Sequence, residues 1–122
     1  MQKYQLQTTK TLAILQWNDA FEYSDVYDAL EELARMVTDP VPLLVIDNST
    51  EFDASSDELH QMIYLLERYK EHFTNRVAYV VSKDVYYGFG HMAHIFSLQI
   101  GVDLVPFRGM SEARGWLSEL PP

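Results

Sequence analysis

Gly88-Phe89-Gly90-His91-Met92-Ala93 spells GxGxxA, and His91 and His94 stand three residues apart. The first pattern can bring a backbone close to a phosphate at a helix N-terminus; the second is half of a metal site. Neither has the context its chemistry needs. In a dinucleotide fold the glycines occupy the tight turn directly after a strand, and the ribose-binding acid closes the next strand. Here five residues separate Ser82, the end of an apolar run, from Gly88, and Asp103 opens the following strand instead of closing it. A zinc site takes three or four ligands, and its helical signature spaces histidines four apart with a glutamate between. His60 and His72 belong to a different predicted helix. No metal and no cofactor is expected.

Other reaction chemistry is equally thin. There is no GxSxG elbow, HExxH pair or P-loop spacing. The acid pairs Glu31-Glu32 and Asp57-Glu58 are sequence neighbours, so their carboxylates do not face each other on a helix. His91 with Asp47 or Ser49 at predicted strand ends is the one grouping left for an enzyme, and a non-enzymatic chain is expected.

The same histidine stretch makes more sense as a covered helix. From Val85 to Val102 there is no Asp, Glu, Lys or Arg, in a chain of net charge −9. At about 100° per residue, Phe89, Met92, Ala93, Phe96 and Ile100 share one side, the core side. His91, His94, Ile95 and Leu98 fall opposite, with Ser97 and Gln99 between. A helix apolar on both sides is covered twice, here by a second copy, another protein or a ligand.

Periodic patterns supply the elements that would carry this helix. Tyr4, Leu6 and Thr8 alternate with polar residues, and "TLAILQW" (Thr11 to Trp17) follows, a predicted hairpin. A helix capped by Ser24 carries the stripe Val26, Leu30, Leu33 and Val37, and Asp39-Pro40-Val41-Pro42 ends it. "LLVID" (Leu43 to Asp47) reads as a strand covered on both faces. Ser55-Ser56-Asp57-Glu58 is a capping box that opens a helix burying Leu59, Met62, Ile63, Leu66 and Phe73. "RVAYVVS" (Arg76 to Ser82) and "VDLVPF" (Val102 to Phe107) are further strands flanking the quoted helix. A last helix follows, capped by Ser111, with Ala113, Trp116 and Leu117 inward. The order predicts one α/β domain over residues 1–122: a single mixed sheet, an initial hairpin, later strands parallel, and about four helices.

Composition narrows the class. Hydrophobic content of 48% and charged content of 22% place the chain among ordinary globular proteins. The opening "MQKYQLQTTK" has no signal-peptide pattern, and no apolar run approaches the ~20 residues of a membrane helix. Without cysteine there is no disulfide, and a cytoplasmic location is expected. Fourteen acids face three bases between Asp19 and Glu71, a balance that repels nucleic acid.

Three stretches carry a resemblance that spans nearly the whole chain. "PLLVIDNSTEFDASSDEL", "RVAYVVSKDVYYGFGHM" and "VPFRGMSEARGWLSEL", in that order, resemble the SpoIIAA-like family, relatives of the STAS domain of anti-sigma-factor antagonists. The resemblance implies the STAS/SpoIIAA-like fold, no cofactor and no catalysis. In phosphorylatable STAS domains an Asp-Ser-Ser-Gly turn bears the regulatory serine; here it reads Ala54-Ser55-Ser56-Asp57, which puts Ser56 at the phosphoacceptor position. The acid before it and the glycine after it are both replaced, and Asp57 and Glu58 would repel an added phosphate. The family is also similar in fold to CRAL-TRIO lipid-binding domains. The expected function is a STAS-like protein-interaction module that self-associates through the outer face of the Gly90–Ile100 helix: His91, His94, Ile95 and Leu98, with Tyr86 and Tyr87. The alternative is a carrier of a small apolar ligand or lipid, with that helix as a lid and Trp17, Tyr86, Tyr87 and Phe89 as lining.

Overall fold

Alternating and continuous apolar runs become five strands joined in sequential order: β1 (Tyr4–Thr8), β2 (Ala13–Trp17), β3 (Leu43–Asp47), β4 (Arg76–Val81) and β5 (Asp103–Phe107). The computed structural model describes residues 3–48, 56–81 and 84–119, and within them all side chains except those of Ser56, Asp84, Val85, Tyr86 and Phe89. β1 and β2 form the expected hairpin, with Leu6 opposite Leu15, closed by the Thr9 N–H on the Leu12 carbonyl at 2.8 Å. The three later pairs are parallel. A sequential parallel sheet with crossovers of one hand must place its connecting helices on one face. Accordingly α1 (Tyr23–Met36), α2 (Ser56–Tyr69) and α3 (Asp84–Leu98) pack with Leu15, Leu43, Val77 and Leu104. α4 (Met110–Leu117) turns to the opposite face, where Ala113 and Leu117 meet Leu44, Ala78 and Val80. This is the mixed-sheet α/β architecture expected from the sequence.

Two helix starts differ from expectation. α1 begins beyond Glu22, whose backbone N–H donates to the Asp25 carboxylate at 2.8 Å. That acid does the capping work assigned to Ser24, which already lies inside the first turn. Phe21, stacked on Trp17 at 4.1 Å, fixes the entry of the chain one residue earlier. α4 is capped at Gly109, whose carbonyl accepts the Ala113 N–H at 3.2 Å, so Ser111 is its second residue and not its cap. The far end of α4 is held from the sheet: the Arg76 guanidinium donates to the Glu119 and Trp116 carbonyls at 2.7 and 2.9 Å and lies over the Trp116 ring. A cation at a helix C-terminus satisfies carbonyls that have no partner within the helix. The capping box proposed at Ser55 to Glu58 lies largely outside the described residues.

Phe73 is buried as expected, but in a 3₁₀ turn (Lys70–Phe73) that follows α2. Among the described residues no helix is long and apolar enough to cross a membrane. α1 and α2 are clasped by the Tyr69 hydroxyl, which donates to Glu31 at 2.6 Å while Arg35 holds the same carboxylate at 3.2 Å. Burial, and then the bond to Glu31, push the Tyr69 hydroxyl up to about 12 from its ordinary 10.0. The bonds from Tyr69 and Arg35 hold Glu31 below its ordinary value.

The Glu31 contribution is present at neutral pH and is lost as pH falls through its lowered folded value. The Tyr69 contribution is complete below pH 10.0 and is lost as pH rises towards about 12. Tyr69→Phe removes the Tyr69 linkage and the Tyr69 share of the Glu31 linkage, leaving the share that Arg35 supplies. Urea midpoints of the variant are expected to fall less steeply than those of the wild type on acidification and above pH 10.0.

Candidate functional site

α3 owes its place to the edge of the sheet. β5 has one strand neighbour, so the N–H and C=O of Leu104, opposite Val77 in a parallel pair, turn away from β4. Ser97 and His94 take both. The Leu104 N–H donates to Ser97 Oγ at 3.3 Å, and His94 Nδ1–H donates to the Leu104 carbonyl at 2.6 Å. The Ser97 hydroxyl donates in turn to the His94 carbonyl at 2.8 Å, which leaves the side chain 0% exposed and hydrogen-bonded on both sides. Two positions along, Pro106 has no N–H to offer. Gly90 lets α3 lie against it: a Cβ on Gly90 would sit 2.6 Å from the Pro106 Cβ. The edge is sealed by side chains on one helix.

Both glycines of the GxGxxA stretch are therefore helical, because α3 starts at Asp84, well before them. Gly90 provides the close packing expected of that pair, whereas Gly88 is exposed and has nothing within 4 Å of its Cβ position. The helix stops at Leu98, and Gly101, at φ +74°, turns the chain into β5.

The two sides of α3 are close to those read from periodicity. Ala93 is buried, Met92 and Phe96 pack against the core, and Ile100 is buried in the turn beyond the helix. Ile95 and Leu98 are each 59% exposed, and His91 is exposed beside them. His94 does not join that stripe: it is half-buried and bound to the β5 edge, for periodicity sees polarity and not a carbonyl waiting ten residues on. Tyr87 is half-buried under the Arg108 guanidinium at 4.5 Å and against the His91 ring at 4.7 Å. The side chains of Tyr86 and Phe89 lie outside the described residues. Ser97, which periodicity treated as filler, is the polar centre of the contact; proline within the "VDLVPF" run was the available signal that β5 is an edge strand.

The catalytic grouping is not brought together in the described residues. Asp47, 1% exposed at the end of β3, accepts the Tyr79 hydroxyl at 2.5 Å, while the exposed His91 ring packs against Tyr87. Ser49 lies outside the described residues. His60 comes beside α3, its ring 4.6 Å from those of Phe96 and Tyr64. Among the described residues no three His, Asp or Glu side chains converge as a metal site would require. Ser56 is the first residue of α2, with Asp57 and Glu58 exposed after it. Between the sheet and the helices lies an apolar cavity of about 70 Å³, lined by Trp17, Phe21, Leu59 and Tyr79 among others. Sites for organic ligands run to ~300–1,000 Å³, so this interior does not favour a lipid carrier.

The chain superimposes on a crystal structure of an uncharacterized DUF3478-family protein with a SpoIIAA-like fold from Shewanella loihica PV-4, with a TM-score of 0.61 over 93% of this chain and 91% of that one. The fold is SpoIIAA-like. At 12% identity the match carries architecture and nothing finer. No protein-family model matches the chain, and no curated protein matches it. Within this SpoIIAA-like frame, α3 is set apart from α1 and α2 by the lack of charge beyond its first residue, Asp84.

Gly90→Ala and Gly88→Ala are expected to act in opposite directions. The first forces a methyl against a rigid proline ring and should lower stability by about 1–3 kcal/mol, partly offset by helix propensity. The second meets open space and should raise stability by up to about 1 kcal/mol. Thermal and urea unfolding of the two variants checks the difference in sign.

Proposed function

We propose that the chain is a non-enzymatic STAS-type interaction module that pairs with a second copy of itself across the outer face of α3. The observation that carries this reading is the exposure of Ile95 and Leu98, 59% each and one turn apart, on a helix whose Val85–Val102 span has no charge. Copies that each bear a net charge of −9 repel, so an uncharged face is where they can meet at least cost. The face also suits two-fold symmetry. Gly88 lies near one end of the stripe and Ile95 and Leu98 near the other, with His91 between. Antiparallel packing about His91 sets the bulky end of one copy against the glycine end of the next, as an isologous contact requires.

Magnitude limits the strength of such a pair. A fifteen-residue helix is about 22 Å long, and one helix face of that length covers less than the ~800 Å² per partner of a standard interface. A reversible dimer follows.

Sedimentation velocity over a wide concentration range should show a reversible monomer–dimer equilibrium that Ile95→Asp/Leu98→Asp abolishes with unchanged circular dichroism. A wild-type chain that sediments as a monomer at every concentration removes the homodimer.

A further inference from the structure

The two edges of the sheet are treated differently. At β5, the outward groups of Leu104 are taken by Ser97 and His94, and Pro106 withholds a donor. β1, the other edge, reads Tyr-Gln-Leu-Gln-Thr, with no proline, glycine or charge to discourage pairing. The bonds of Thr9 to Leu12 and of Asn18 to Lys3 show that odd-numbered residues face β2. In the alternation of an antiparallel ladder, Tyr4, Leu6 and Thr8 then turn their N–H and C=O groups outward. Among the described residues no strand pairs with them.

What flanks this edge has a sign. Tyr4 and Leu6 face α1, and α1 presents Asp25, Asp28 and Glu32 over them at helical spacing. Lys3 reaches Asp25 at 3.2 Å and the Tyr4 hydroxyl reaches Glu32 at 3.5 Å. Burial first, and then the charges of Glu32, Asp28 and Asp25, raise the Tyr4 hydroxyl above its ordinary range. Lys3 offsets one of these three carboxylates.

We propose that the β1 edge accepts an extended, lysine- or arginine-bearing segment of another polypeptide as a sixth strand, its backbone bonded to Tyr4, Leu6 and Thr8 and its basic side chains beneath Asp25, Asp28 and Glu32. Residues opposite Tyr4, Leu6 and Thr8 in the added strand carry their side chains on the α1 face. Alternate strand residues stand about 7 Å apart, and Asp25 and Glu32 are separated by about 10 Å along α1, so two basic side chains fit the stripe. The three outward residues offer about six backbone bonds, and alternate charges supply selectivity. A second copy of this chain satisfies the backbone equally, with Leu6 opposite Leu6 and Tyr4 opposite Thr8. It also sets one α1 acid stripe against another, so charge selects a basic partner over self-pairing. This surface is independent of the outer face of α3.

The probes are three capped heptapeptides: Lys alternating with Thr, Glu alternating with Thr, and Lys alternating with Pro. The first and third carry equal charge, but only the first can form a strand. Amide NMR of the full chain should show the Lys–Thr peptide shifting Tyr4, Leu6 and Thr8 and slowing exchange of their amides, with affinity falling as salt rises. The Lys–Pro and Glu–Thr peptides should bind at least about tenfold more weakly. Asp28→Lys/Glu32→Lys, at exposed positions and with circular dichroism to check that the variant is folded, should reverse the preference towards the Glu–Thr peptide. Equal binding of Lys–Thr and Lys–Pro, shifts confined to other acidic surfaces, or no binding overturns the proposal. So does protection of the Leu6 amide that grows with protein concentration alone, which marks pairing of β1 with itself.

Discussion

The contact of α3 with the open side of β5 determines how this molecule presents itself. A strand edge is a row of donors and acceptors that must be covered or left to pair with whatever arrives. Here His94 and Ser97 fill the two outward groups of Leu104, Pro106 removes the next donor, and Gly90 lets the helix come close enough. Those demands fix the rotation of α3 about its own axis. Once His94 and Ser97 point to the edge and Ala93 to the core, Ile95 and Leu98 are carried outward. Their exposure follows from sealing the sheet, and so does the neutral surface they create.

Hydropathy alone carried most of the architecture. "LLVID" and "RVAYVVS" are continuous and β-branched because β3 and β4 are interior strands, covered by α1–α3 on one face and partly by α4 on the other. The hairpin, the number of helices and the parallel late strands follow from alternation and proline punctuation. Polar side chains that act across the fold were not legible in that way. Ser97 and His94 are defined by a carbonyl and an amide on β5, and helical periodicity has no access to a partner on another element. Helix starts suffered for a related reason. Ser24 and Ser111 have the right residue type, but the local turn was set by Asp25 reaching back to Glu22 and by the extended backbone at Gly109.

Charge is distributed to match the layers. α1 and α2 concentrate the acids of the chain, and α3 bears none between Val85 and its end. Acids on exposed helix faces keep a protein with this much apolar surface apart from its copies. The charge-free span of α3 after Asp84 is the place where that protection lapses, at the side of the sheet where α3 covers the strand edge. On the opposite side no strand among the described residues pairs with the β1 edge, and the acids of α1 stand over it.

Each border of the sheet is thus guarded in one respect and exposed in another. At β5 the outward groups of Leu104 are satisfied and the apolar surface of α3 is bare; at β1 no strand among the described residues pairs with the outward backbone and the surface is charged. A second copy that meets α3 gains from apolar burial and binds no less tightly as salt screens the repulsion between two chains of charge −9, whereas a partner that meets β1 gains from backbone bonds selected by charge and weakens as salt rises. Those signatures differ because α3 covers the β5 edge while no described strand covers the β1 edge, and a SpoIIAA-like sheet with two such edges can hold both surfaces without either disturbing the core between them.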